Sequence, residues 1–489
     1  LCHARLLLRL AMFAPGMPQA LCGGRVALVL VVLIAIACMV SDVSALAAED
    51  ASGQFLVLSD VHLDLFYDAS VSPSGFCRSD SLTPYYNISD LAGSCSTDDY
   101  DYDDDLDFVL GKFGCDSPAE LLNSTVEAMR DACPSPDFIL IGGDFAAHCQ
   151  PTWESTVATV KVVTDILTDM FPGVACLPLI GNNDLFPHNS IPLGPTELLN
   201  DYTAIWQHWM EPIAEPGYAQ NFSLAGFYAA TPVDGLRVLS LNTMYYSVDW
   251  CADNTTTCDS AADQPRTVDP MGQFAWLEEE LEAAKAAEER VILQGHIGLG
   301  RSRGFDDLWF EPYQLKMLHL LDVYSSVVEA VFFSHTHRDE YIMFLAREDN
   351  VVHNLSTMFV NSAMSPRSEN NPSFRVVNYA PNTIHLLDYS VYTLNLTQVM
   401  LSDNADDVDW MEEYVFTSEY TLDGIDKPDM LTFYEEMLVD DQLFNEYLYN
   451  WGTQSTAVDY DNHSKQDFLC SIGTVTNSAY SVCSDYDDD

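Results

Sequence analysis

Aspartate, histidine and asparagine recur along this 489-residue chain in short motifs of the kind that binds metal ions. Asp60-Val-His62 comes first. Gly143-Asp144, Gly181-Asn182-Asn183-Asp184, Gly295-His296 and His335-Thr-His337 follow. Carboxylate and imidazole together suit zinc, iron or manganese. Asp60 and His62 are two residues apart at a strand end, so both can face one ion, and His335 and His337 repeat that spacing. Asp60, His62, Asp144, Asn182, His296, His335 and His337 suffice for two ions if the Asp144 carboxylate bridges. Two ions about 3.5–4 Å apart can clamp a phosphate and deprotonate a bridging water. A single histidine at a strand end is more often a hydrogen-bonded loop residue than a ligand. Five motifs in order, each at the end of an apolar strand, make a much stronger signal.

The elements that must position these residues are short. Apolar runs predict strands at 55–59, 138–141, 174–180, 238–241, 291–293 and 327–333. Helical spacing appears over 119–132, 153–170 and 273–289. Strands alternating with helices imply βαβ units around a buried sheet, and the carboxyl ends of such strands line one crevice. Beyond Ile342 the pattern is strand-rich through Tyr392. From about Leu401 it turns acidic, aromatic and helical, closing at Cys470 and Cys483. The pattern predicts an α/β fold, with a small C-terminal helical subdomain over 401–489.

Residues 1–47 read as a leader. The 15-residue apolar run Val26–Val40 follows Arg25 and precedes Ala45-Leu46-Ala47, the order of a signal peptide cut after Ala47. The alternative is a membrane anchor carrying a lumenal catalytic domain, but the run is shorter than the roughly 20 residues that span a bilayer. Ten cysteines follow the leader, an even number that suggests disulfides, with Cys251–Cys258 and Cys470–Cys483 as the expected pairs. Pairing among Cys77, Cys95, Cys115, Cys133, Cys149 and Cys176 stays open. Seven sequons, at Asn87, Asn123, Asn221, Asn254, Asn354, Asn395 and Asn462, become usable for glycosylation on export. Without the leader, 17 basic residues face 73 acidic ones, a net charge of −56. Such a surface repels nucleic acid and other long polyanions and suits an acidic lumen, secreted or lysosome-like. The seven aspartates between Asp98 and Asp107 read as a solvated loop rather than a calcium site.

The order D-x-H, G-D, G-N, G-H, H-x-H resembles the calcineurin-like metallophosphoesterases. Longer stretches are similar to the acid sphingomyelinase-like phosphodiesterases and endopolyphosphatases: Phe55–Asp64, Asp144–His148, Gly181–Asn189 and Leu239–Tyr245. The resemblance covers 53–400 and implies a two-sheet sandwich flanked by helices, in which Asp60, His62, Asp144 and His337 hold one metal and Asp144, Asn182, His296 and His335 the other. In that family the two ions are usually zinc, with iron and manganese as alternatives. It implies a hydrolase of phosphodiesters or phosphoanhydrides acting on nucleotides or similar small phosphoesters, with no nucleic-acid partner and no stable membrane insertion once the leader is cut. An endopolyphosphatase is the first alternative, with Arg301, Arg303, Arg338 and Arg367 as local support for a polyanion. A non-catalytic metal-binding receptor or scaffold is the second. Two positions depart from the family: Asn183 stands where a histidine often helps protonate the leaving group, and Ser334 where a glycine commonly precedes H-x-H. His148, four residues past Asp144, matches the sphingomyelinase-like G-D-x-x-x-H pattern and is the expected general acid, with His188 a further catalytic candidate. The few residues between Ala47 and the first strand leave no room for a saposin-like module, so sphingomyelin is a weak substrate expectation.

Overall fold

The computed structural model describes residues 52–73, 77–78, 108–250, 267–302, 304–348, 351–402, 409–460 and 464–485. The leader, the acidic run, Cys95, Cys251, Cys258, Arg303 and the sequons at Asn87, Asn254 and Asn462 lie outside the described residues.

The first half of the chain alternates as expected. β1 (Gly53–Leu58), α1 (Ala119–Ala132), β2 (Phe138–Ile141), α2 (Trp153–Met170) and β3 (Ala175–Pro178) precede α3 (Glu197–Met210) and α4 (Tyr218–Ala225). A second series follows: β4 (Tyr228–Val233), β5 (Leu236–Ser240), α5 (Gln273–Ala287), β6 (Arg290–Ile297), α6 (Glu311–Val323) and β7 (Val328–Ser334). Then come β8 (Glu340–Glu348), β9 (Val351–Val360), β10 (Ser373–Ala380), β11 (His385–Leu394), α7 (Leu396–Met400), β12 (Trp410–Val415) and α8 (Phe416–Tyr420). The chain closes with α9 (Lys427–Val439), α10 (Asp441–Trp451), α11 (Lys465–Gly473) and α12 (Asn477–Ser484).

Two six-stranded sheets form, in the orders β12-β11-β10-β1-β2-β3 and β4-β5-β6-β7-β9-β8. β1, β2 and β3 are parallel, as are β5, β6, β7 and β9. Phe55 to Leu58 on β1 are all buried, which is why the run is continuously apolar rather than alternating. The sheets face each other: the Phe55 ring meets Phe332 edge-on at 5.8 Å, and Gln294 donates to the Leu177 carbonyl. This is the two-sheet sandwich that the sequence implied. α2 starts sharply because Thr152 and Ser155 form a reciprocal capping box. Val160, Val163 and Leu167 on that helix enter the core.

The C-terminal part is woven into the sandwich. β12 extends the first sheet antiparallel to β11, α9 packs on β9, and α11 packs on β8. Cys470–Cys483 is bridged as expected, and Cys77 pairs with Cys115. Cys133 and Cys176 carry free, buried thiols, so not every cysteine after the leader is in a bridge. Asn354, a sequon residue, is buried and donates its amide to Thr357 and to the Lys427 carbonyl.

β12 also carries a buried charge problem. Both carboxylate oxygens of Glu413 are shut off from solvent, with no cation to pair them and only the Thr393 hydroxyl to favour the charge among the described residues. Burial pushes this carboxyl well above its ordinary value of 4.5; Asp339 and Glu419 add to the rise, and the nearby Thr393 hydroxyl opposes it. A carboxyl with a raised folded pKa binds its proton more tightly in the folded chain. It therefore costs the fold nothing below its ordinary pKa and destabilises increasingly as pH rises above it. Glu413→Gln should raise the melting temperature at pH 7 and leave it near wild type at pH 4. Thermal unfolding followed across pH checks this; an equal shift at both pH values would remove the carboxylate as the cause.

Candidate active site

All the candidate ligands stand at or next to carboxyl ends of parallel strands. Asp60 and His62 follow β1, Asp144 follows β2, Asn182 follows β3, and His335 and His337 follow β7. His296 differs from expectation by lying inside β6, which runs on to Ile297. The β1 and β2 loops run side by side, with Asp60 N–H donating to the Gly143 carbonyl and His62 N–H to that of Asp144. Five of these non-glycine residues take left-handed backbone: Asp60 (φ 48°), His62 (42°), Asp144 (54°), His335 (77°) and His337 (63°). Such strain, of order 1–3 kcal/mol per residue, gathers where function over-determines geometry. The glycine before Asn182 has a steric cause. A Cβ on Gly181 would run into the Asp144 carboxylate and its amide.

The side chains form two adjoining groups. Ligand atoms of Asp60, His62 and His337 lie within 4.8 Å of one another, as do those of Asp144, His296 and His335. Asn182 joins the second group, its Oδ1 3.0 Å from His296 Nε2. His335 and His337, despite their shared spacing, therefore face different groups. Asp144 Oδ2 stands 3.5 Å from His62 Nε2 and 3.2 Å from His296 Nε2, between the two groups.

The donor chemistry fits divalent cations. His62 Nδ1 lies 3.2 Å from the Ala146 carbonyl and His296 Nδ1 2.8 Å from the Gly142 carbonyl. A carbonyl can only accept, so each Nδ1 carries the hydrogen and each Nε2 offers a lone pair inward. His62 Nε2 then faces His337 Nε2 at 3.0 Å, and His296 Nε2 faces Asn182 Oδ1 and Asp144. The His296 lone pair aimed at oxygen acceptors in a buried place calls for a cation between them, a proton or a metal. Burial would lower His296, yet Asp144 lifts it to about 9, and burial raises Asp60 to about 6. Burial would raise Asp144, but His296 and His62 hold it well below the usual carboxylate range. Burial lowers His62 to about 4. Divalent ions would displace the protons and satisfy the same field.

Four neighbours were not singled out from the sequence as supports. Asn183 donates both its backbone N–H and its side-chain amide to the Asp144 carboxylate, each at 2.8 Å. The residue that replaces the family histidine thus braces Asp144. Asp184, fully buried, accepts from the backbone amides of Asp144, Ala146 and Gly181 and ties the β2 and β3 loops together. Asp116 accepts from the His148 backbone and holds His148 Nδ1 at 2.8 Å. Arg78 donates to Asp64 and to the His148 and Cys149 carbonyls. No short motif marks Asp116 or Arg78, because they reach His148 across gaps of 32 and 70 residues. The His148 ring lies stacked on His62 at 4.2 Å, with its side chain about 27% exposed. His188 stands exposed on the loop after β3. Asp184→Asn should retain the fold but weaken metal retention about 10- to 100-fold, the usual cost of losing an outer-sphere support. Metal analysis after dialysis measures it, and undiminished retention would reduce Asp184 to a loop brace.

The C-terminal part reaches the H-x-H turn. Asp339 takes the Arg375 guanidinium and the Tyr414 hydroxyl, and its N–H donates to the Trp451 carbonyl.

Residues 53–339 match the family model for calcineurin-like phosphoesterases, and residues 349–488 match the acid sphingomyelin phosphodiesterase C-terminal region. The chain is a calcineurin-like phosphoesterase. Curated relatives place this calcineurin-like phosphoesterase in the acid sphingomyelinase-like branch. It is 30% identical to sphingomyelinase phosphodiesterase D of Dictyostelium discoideum, over 85% of this chain and 91% of that protein. It is 26% identical to human cyclic GMP-AMP phosphodiesterase SMPDL3A and 29% identical to human acid sphingomyelinase-like phosphodiesterase 3b, in each case over 88% of this chain and 90% of the relative. The phosphoesterase is accordingly a phosphoric diester hydrolase that depends on divalent metal ions.

Proposed function

We propose that the protein hydrolyses small phosphodiesters of the nucleotide type in an acidic exported compartment, with two zinc ions held by the two groups of ligands and His148 as general acid. One observation carries the reading: Asp60, His62, Asp144, Asn182, His296, His335 and His337 converge with imidazole lone pairs aimed at carboxylate and amide oxygens. Asp60, His62, Asp144 and His337 would hold one ion, and Asp144, Asn182, His296 and His335 the other. Ions bound there supply Lewis-acid polarisation of the phosphoryl oxygens and a water acidic enough to attack. Asp144 sits where it can bridge, and Asn183 fixes both of its oxygens. Asp116 anchors His148 Nδ1, which turns Nε2 of that ring away from Asp116 as the atom to deliver a proton to the departing oxygen.

The basic residues favour a small substrate over a long polyanion. Arg301 pairs with Asp307, donates to the Asn477 carbonyl and lies over Tyr480; Arg367 points at Asp116; Arg338 lies over Trp451. The bridged cysteines agree with export, and among the described residues no helix is long and apolar enough to cross a membrane. The relative that acts on cyclic GMP-AMP supports a nucleotide-type ester. Turnover of bis(p-nitrophenyl) phosphate at acidic pH, with chelator and with zinc or manganese added back, tests the reading. Activity indifferent to chelation would overturn it. A panel of nucleotides, sphingomyelin and polyphosphate then ranks the substrates.

A further inference from the structure

We propose that a pocket lined by the chain that runs on from the site after β2 and β3 receives a nucleobase and sets substrate preference. The inference rests on the diester-hydrolase reading above and deepens it.

The pocket holds about 410 Å³ and is walled by Trp153, Phe186, Ile191 and Leu198, with Thr196 and Glu197 at one edge. Both loops that form it begin at the reacting centre. One starts with Asp144, passes His148 and ends at Trp153, the first residue of α2. The other starts with Asn182 and reaches Phe186 four residues later. The second loop is folded back on its origin, because Asn189 N–H donates to the Asn182 carbonyl at 3.1 Å. The walls are fixed. Trp153 packs against Tyr202 at 5.9 Å, and the Tyr202 hydroxyl donates to the Asp184 carbonyl, beside the metal ligands. The indole N–H of Trp250 holds the Ile191 carbonyl at 2.8 Å.

Its chemistry matches the flat, uncharged end of an ester. Among the described residues no cation lines the pocket, so its described lining is not that of a phosphate site. An indole and a phenyl ring offer faces for stacking, which serves any base and needs no sequence readout. The Glu197 carboxylate at the rim can accept from an exocyclic amino group, and the Thr196 hydroxyl can donate to a ring nitrogen. A pocket of mostly apolar wall with a few polar groups is the usual form of a small-molecule site.

The test uses the zinc-loaded full chain and three esters with one leaving group: the p-nitrophenyl ester of adenosine 5′-phosphate, methyl p-nitrophenyl phosphate and p-nitrophenylphosphorylcholine. Trp153→Ala should cut the ratio of kcat/KM for the adenosine ester over the methyl ester about tenfold, through KM, in line with the loss of one stacking face. Leu198→Trp, which fills the cavity from another wall, should lower the same ratio. A ratio unchanged in both variants overturns the proposal. A loss confined to the choline ester overturns it too and assigns the pocket to a quaternary ammonium group. If wild type hydrolyses none of the three, the diesterase reading fails on its own. Calorimetric binding of adenosine monophosphate to wild type and Trp153→Ala then still decides the pocket, and equal affinity would overturn it.

Discussion

Asp144→Asn should strip the protein of metal and activity together. Both oxygens of Asp144 are committed: Asn183 donates one amide hydrogen to each, and Oδ2 also faces His62 and His296. An asparagine keeps the volume and removes the negative charge that joins the two groups. It also turns an acceptor into an amide donor pointed at other donors, so Asn183 and the substituted side chain would compete for the same space. Activity should fall by at least about 10³-fold, the upper range for losing one electrostatic contact to a transition state, since here the loss also disperses the ions. Metal analysis should find less than one ion per chain after dialysis. Full activity with two ions retained would sink the bridging assignment. The fold should survive, because Asp184 still ties the two loops together through backbone amides.

The second large effect concerns the proton. His148→Ala should slow esters of poor leaving groups by roughly 10²–10⁴-fold and spare p-nitrophenyl esters, whose departing oxygen needs little protonation. The motivation is geometric. Asp116 holds Nδ1 of a ring that lies over His62 and is partly open to solvent, so it can meet both substrate and water. Burial and Arg367 push this imidazole below its ordinary value while Asp116 opposes them, which favours an acidic working pH for the charged form. Metal content should not change. If both ester classes fall equally, or the ions leave with the side chain, the ring is a brace and His188 becomes the acid to test.

The convergence of the candidate ligands was legible because each motif stands at or near the end of an apolar strand, a local signal. α1 and α2 were legible to the residue, because apolar side chains at helical spacing face one core. β4 was missed although a signal for it existed: Val233 pairs with Leu236 across Asp234-Gly235, a two-residue hairpin dipeptide, with Gly235 at φ 82°. α3 and α6 carried a signal as well, with buried Leu199, Tyr202, Trp206 and Trp209 on one and Tyr313, Met317 and Leu320 on the other at helical spacing. The roles of Asp116 and Arg78 could not be read, since they depend on which loops meet, and that is decided by sheet order. The bracing by Asn183 was hidden for another reason. Its identity looked like a lost acid, and only geometry shows an amide serving a neighbouring carboxylate.

The union of β1 with β10 and of Asp339 with Trp451 bears on the order in which the molecule is made. A ribosome releases Asp60 and His62 early, but β1 lacks one of its two sheet partners until Ser373–Ala380 has emerged. The H-x-H turn lacks its backbone clasp until Trp451 has emerged. Half-made chains would therefore carry an open sheet edge and an unset turn, the state in which strands pair wrongly. Setting of the H-x-H turn thus waits for Trp451, and any factor that shelters the growing chain would have to act until that residue has emerged.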